Sequence, residues 1–159
     1  IYTGEDTLSL HDALPIFLFA GMISVSSAMD KTGAGKLLAK FCVDLLGGTP
    51  SPLFVAALLF LVSSFLTQFM SNTATATLLC PIGVAIAQQI GASPHAVVMS
   101  ITIGIACAYA TPVGTPPNTL VLGPGGYRFM DYVKVGTPLI FVSFIVSMIV
   151  IPIVWPFFK

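Results

Sequence analysis

FLTQFMSNTATATLLCP, residues 65–81, decides how the chain is read. Thr67, Gln68, Ser71, Asn72, Thr73, Thr75 and Thr77 crowd together in a tract that carries no Asp, Glu, Lys or Arg from Leu45 to Tyr127. Apolar residues form 56% of the 159 residues, charged ones 8%, and the mean hydropathy is +0.99. Ordinary soluble domains run at roughly 45–50% apolar and about 25% charged. An uncharged tract of this length cannot be covered by polar surface, so the composition specifies an all-α protein embedded in a lipid bilayer. The net charge is zero, which speaks against nucleic acid as a partner.

Outward from the polar cluster, apolar runs are set off by Gly and Pro. Leu53–Phe69 and Ala74–Ile90 are expected as helices joined by the Ser71-Asn72-Thr73 turn, so that 51–90 forms a hairpin. GASP (91–94) ends the second helix, and a third runs from His95 to Ala110 into TPVGTPPN (111–118). Proline lacks an N–H and clashes with the preceding turn, so this stretch cannot continue an α-helix. Residues 94–124 are therefore expected as one broken helix, resumed at Thr119–Leu122. A loop at 125–135 and a last spanning helix at 136–158 follow, with Trp155 and Lys159 as interfacial anchors.

Upstream, Lys36, Lys40 and Asp44 recur every four positions opposite Leu37, Leu38, Phe41 and Leu45. That is the pattern of an amphipathic helix lying along the membrane surface over 31–50. Residues 16–30 are apolar but too short to span alone, as for a truncated helix. Residues 1–15 are polar, and DTLSLHDALPI resembles translated sequencing-adapter read-through; they are set aside as non-native.

The two irregular points, 71–73 and 111–118, lie in one uncharged tract. In hydrocarbon each unsatisfied backbone group costs several kcal/mol, so non-helical backbone persists only where it is buried in protein or lines a cavity. Helices broken in this way build midplane sites in secondary transporters: half-helix N-termini offer N–H groups to an anion, and unwound carbonyls coordinate a cation. Thr hydroxyls and Asn amides supply further neutral donors and acceptors. The bland reading is that Ser and Thr here let helices approach closely, and it suits Thr75, Thr77 and Ser63. The three cysteines, Cys42, Cys80 and Cys107, read as packing residues. His11 and His95 stand alone and define no metal set. KTGAGKL (31–37) lacks the first glycine and the hydroxyl of a phosphate loop. No hydrolase or metalloprotease motif is present, so no enzyme is expected.

SNTATATLLCP (71–81) and ATPVGTPPNTLV (110–121), in this order and separated by one apolar helix, resemble the C-terminal half of the divalent anion:sodium symporter family. The likeness extends over about residues 16–158. It implies the second of two inverted repeats, with 51–90 a re-entrant hairpin and 94–124 a broken transmembrane helix. It further implies a multi-pass protein of the cell inner membrane that transports a dicarboxylate, tricarboxylate or sulfate with sodium by alternating access. The complete protein would be a homodimer containing a first repeat that this chain lacks. Carried over by position, Ser71, Asn72, Thr73, Thr115 and Pro116 would bind the anion, and Thr67, Asn72, Gly114 and Asn118 would bind sodium. The alternatives are a carrier using another coupling ion or anion, and a membrane scaffold subunit with no substrate.

Overall fold

The structure is a computed structural model, described here for residues 50–158 together with positions 28, 31–33, 37 and 44. The expectations for residues 1–15, 16–30 and most of 31–50 lie outside the described residues. The described part is all-helical: α1 (Pro52–Leu66), α2 (Asn72–Gln89), α3 (Pro94–Ala106), α4 (Pro116–Leu122) and α5 (Phe129–Val154).

Local chemistry sets the helix starts. Ser51 caps α1, its Oγ accepting from Phe54 N at 3.3 Å, and Pro52 occupies the first helical position, where no N–H is needed. Ser71 caps α2 in the same way, accepting from Ala74 N at 3.2 Å. α2 therefore starts at Asn72, two residues before the expected Ala74, and α1 stops at Leu66 rather than Phe69. At 15 residues and ~1.5 Å per residue, α1 is ~22 Å long, short of a hydrocarbon core of ~30 Å.

The centre of the packing is α3. Val97, Ile101 and Ile105 meet Val55 and Leu59 of α1 and Leu79 and Ile86 of α2 in one buried cluster. Each hairpin leg packs far more extensively on α3 than on the other leg. The legs therefore straddle α3, and the Ser100 hydroxyl donates to Ala56 O across the α1–α3 contact.

α5 lies against α1 and α3, with Phe60 and Phe144 edge to face at 5.4 Å. Gly136 lets it come close: a Cβ there would stand 2.5 Å from Ala110 Cα and 2.7 Å from Ala110 N. Elsewhere α5 is open. Among its residues only Gly136, Ser147 and Ile151 are buried, while Val135, Leu139, Val142, Val146, Ile149 and Ile153 are exposed. It is the one described helix long and apolar enough to cross a membrane unaided.

Four further expected boundaries are corrected. The last helix starts at Phe129, not 136, so the loop expected at 125–135 ends at Arg128. Asp131 Oδ2 accepts from Arg128 N at 2.8 Å while Asp131 N donates to Arg128 O at 2.9 Å, and this reciprocal cap starts the helix early. The same helix ends at Val154, before Pro156, rather than at 158. The third helix ends at Ala106 instead of Ala110, and its shorter partner starts at Pro116 instead of Thr119. The break thus occupies 107–115, and the reason for its early start lies in what the hairpin turn does to the carbonyls there.

Candidate functional site

Thr67 and Gln68, at the end of α1, face the end of α3. The Thr67 side chain is fully buried, and its hydroxyl lies 2.7 Å from Asn72 Oδ1 and 3.1 Å from Ile105 O. Gln68 Nε2 donates to Ser64 O and to Cys107 O, both at 2.8 Å, and Gln68 Oε1 accepts from Ala110 N at 3.1 Å. The Thr111 hydroxyl donates to Gln68 O at 2.8 Å and accepts from Gly114 N at 3.2 Å. Asn118 Nδ2, on α4, reaches back to Ala108 O (2.9 Å) and Thr111 O (3.0 Å). Backbone groups freed where α3 unwinds are thus taken up by side chains of the hairpin turn and of α4. Helix end and helix break are satisfied together, as a dry interior demands.

Gly114 is buried in the break. A Cβ on it would stand 3.0 Å from Ala108 O and 3.2 Å from Thr67 O, so the absence of a side chain lets the break touch the hairpin turn. From the other side, the Tyr132 hydroxyl of α5 donates to Asn118 O at 2.8 Å, and the Thr119 hydroxyl donates to Pro112 O at 2.6 Å.

The structure brings together Thr67, Asn72 and Gly114, and ties Asn118 to the same break. Three oxygens, Thr67 Oγ1, Asn72 Oδ1 and Ile105 O, share the single proton of the Thr67 hydroxyl. Turning the Asn72 amide over would relieve this by letting Nδ2 donate to Oγ1; a cation would select the orientation with the oxygens together. The remaining residues stand apart from that cluster. Ser71 is exposed and spends its Oγ on capping α2. Thr73 is the second residue of α2 and half-buried; Thr115 caps α4 and is half-buried; Pro116 is exposed. Thr75 and Thr77 bond back to their own helix, at Ser71 O and Ala74 O, as packing residues do.

The expected pair of half-helix N-termini is reduced to one. At α4, Pro116 and Pro117 have no N–H, and the N–H groups of Asn118 and Thr119 both point to Thr115 O. Nothing is left there for an anion. At α2, Ala74 N and Thr75 N are taken by Ser71, while Asn72 N and Thr73 N have no partner among the described residues. The positive end of α2 is the one that remains open.

Sequence reasoning placed Gln68 in the polar cluster but assigned it no role. The signal was present: a primary amide in an uncharged tract, four bonding positions that hydrocarbon cannot satisfy. Only its partners, 39 and 42 residues away, show what it holds.

An all-helical body, uncharged from Leu45 through Tyr127, in which a hairpin turn and a helix break hydrogen-bond to each other is the module of a membrane transport protein. The chain belongs to the citrate transporter family, whose model matches residues 2–158. It is 41% identical over 142 residues to the uncharacterized transporter YfbS of Escherichia coli, covering 89% of this chain and 23% of YfbS. Over 124 residues it is 39% identical to the uncharacterized transporter sll0640 of Synechocystis, covering 78% of this chain and 20% of that protein. The sodium-dependent dicarboxylate transporter SdcS of Staphylococcus saprophyticus is 30% identical over 136 residues, covering 86% of this chain and 26% of SdcS. The chain thus spans about a quarter of the length of the curated relatives it matches. The resemblance carried by the two motifs is borne out at the level of family.

Proposed function

We propose that this chain is the C-terminal half-site of a sodium-coupled symporter for small divalent or trivalent anions. In this reading it is the second inverted repeat of a multi-pass inner-membrane protein, with α1 and α2 as a re-entrant hairpin. The other half of the site comes from a first repeat, and the complete protein works as a homodimer by alternating access. No catalytic chemistry is involved.

The carrying observation is the Thr67–Asn72–Ile105 oxygen cluster beside the open N-terminus of α2. Sodium is transported cargo here. It takes neutral oxygens, and Thr67 Oγ1, Asn72 Oδ1 and the carbonyls of the break are of that kind. An anion is drawn to the free N–H groups of Asn72 and Thr73, beside the Thr73 hydroxyl, while Thr115 and Pro116 enter this reading by their position in the motif alone. Asn72 belongs to both sites, its Oδ1 toward the cation and its N–H toward the anion. Sodium therefore orients the residue that receives the anion and offsets the anion's charge. Each raises the other's affinity by the same factor. The name of SdcS supports both the sodium and the dicarboxylate.

The test is uptake of labelled succinate, citrate and sulfate by the full-length transporter in proteoliposomes, with sodium replaced by choline or by a proton gradient. Sodium-driven uptake of one of the three, abolished in Asn72→Ala, is the expected result. Uptake driven by protons alone would replace the reading with a proton-coupled carrier. No uptake under any gradient would favour the scaffold.

A further inference from the structure

Gln68 touches neither α2's open end nor the oxygen cluster, yet it is 6% exposed and every polar group of its carboxamide is engaged. The pairing has a specific form. A side-chain amide presents a donor and an acceptor edge much as a peptide group does, and this one bridges Cys107 O and Ala110 N. It stands in the first part of the break as a surrogate peptide, spanning from Cys107 to Ala110. Its second N–H returns to Ser64 O, so the surrogate is anchored in the last turn of α1. Through its own carbonyl it also receives the Thr111 hydroxyl, which in turn receives Gly114 N. A chain of three hydrogen-bonded groups therefore runs from the hairpin turn to Gly114.

We infer that Gln68 is the positioning residue of the sodium site: it makes no ligand contact, and it sets where the carbonyls of the break stand relative to Thr67 and Asn72. The neighbouring Thr67 supplies the oxygen, and Gln68 supplies the register. Because the two are consecutive, a shift of the break relative to Gln68 is a shift of the sodium ligands relative to one another. The inference rests on the sodium-coupled reading above and goes beyond it, since the site would otherwise be described by its ligands alone.

Two substitutions test it in the full-length transporter in proteoliposomes, assayed by sodium-dependent uptake of whichever of succinate, citrate or sulfate the wild type carries. Gln68→Met keeps the volume and removes all three side-chain bonds. It is expected to raise the sodium concentration for half-maximal uptake roughly tenfold or more, the scale of one or two lost buried hydrogen bonds. At saturating sodium the anion half-saturation should return to within about threefold of wild type, a split that general misfolding would not produce.

Gln68→Glu adds a pH readout. Its protonated carboxyl keeps a donor for Cys107 O and an acceptor for Ala110 N. Once ionised, it sets oxygens against oxygens at Cys107 and Ser64. Sodium affinity in Gln68→Glu should therefore improve as pH falls from about 8 to about 5.5, over the raised range of a buried carboxyl, while wild type changes little. The other titratable side chains of the break are Cys107 and Tyr109, and Tyr109 is engaged with Ser143 of α5.

The outcomes separate. A wild type with no sodium dependence removes the sodium reading and this inference with it. A sodium-dependent wild type whose Gln68→Met and Gln68→Glu forms keep their sodium half-saturation within about twofold at every pH overturns the positioning role alone, as does a Gln68→Met form that loses uptake without recovery at high sodium.

Discussion

Thr67 Oγ1 lies 2.7 Å from Asn72 Oδ1, five residues on, across the turn that joins α1 to α2. The same hydroxyl lies 3.1 Å from Ile105 O, 38 residues away, so one buried side chain pins the turn both to itself and to the end of α3. Thr67→Val keeps the shape and removes the proton. It leaves the Ile105 carbonyl without this donor in a fully buried place, at a cost of about 1–3 kcal/mol. We expect a lower melting temperature in detergent and a sodium half-saturation raised roughly tenfold, while Thr67→Ser stays near wild type. Equal sodium curves for the Val and Ser forms would show that the hydroxyl is not a ligand.

Asn72→Asp separates the two roles of Asn72. A carboxylate beside sodium attracts it, whereas a carboxylate at the start of α2 repels an incoming anion at a few ångströms, worth on the order of 1–4 kcal/mol there. Sodium half-saturation should hold or fall, and anion half-saturation should rise roughly tenfold or more. If both worsened together, cation and anion would not meet on opposite sides of this residue.

Gly114→Ala tests the close approach of break and turn. The added carbon meets backbone oxygens of Ala108 and Thr67 at 3.0 and 3.2 Å, and backbone gives way less readily than a side-chain tip. Sodium-dependent uptake should fall several-fold or more, about 1 kcal/mol of lost complementarity at the least. The helical circular dichroism should not change. Wild-type kinetics in this variant would mean that break and turn can part without consequence.

Gly136→Ala addresses stability instead. Its Cβ would stand 2.5 Å from Ala110 Cα, where α5 crosses the break. Overpacking of this kind costs about 1–3 kcal/mol. A melting temperature lowered by several degrees is the expected measurement, and an unchanged one would show that α5 is free to move off the break.

Much of this was legible before any coordinates. An uncharged tract from Leu45 to Tyr127 leaves a lipid environment as the only solvent, GASP at 91–94 separates two helices, and the prolines of 111–118 forbid continuous helix. These are local or compositional facts, and local facts survive without a fold. Thr67, Asn72 and Gly114 were legible as a group only because two motifs occurred in order. The start of the break at Cys107 was not legible, because nothing in GIACAYA resists helix; the carbonyls there are drawn off by Thr67 and Gln68 from another part of the chain. The early start of α5 turned on Asp131 reaching back to Arg128, a cap that a Gly- and Tyr-rich loop disguised.

Taken alone, then, the sequence determined the solvent, the helical class, the two places where helix must fail and the transporter family whose motifs mark them. Tertiary structure decided which backbone groups at those places are spent and which stay open. It closed the N-terminus of α4 on Thr115, left that of α2 free, and tied Gln68 to Cys107 and Ala110 inside the break. The physical reason is that a hydrogen bond in a dry interior goes to whichever partner packing brings within about 3 Å, and contacts across 38 to 43 residues are set by how α1 and α2 straddle α3.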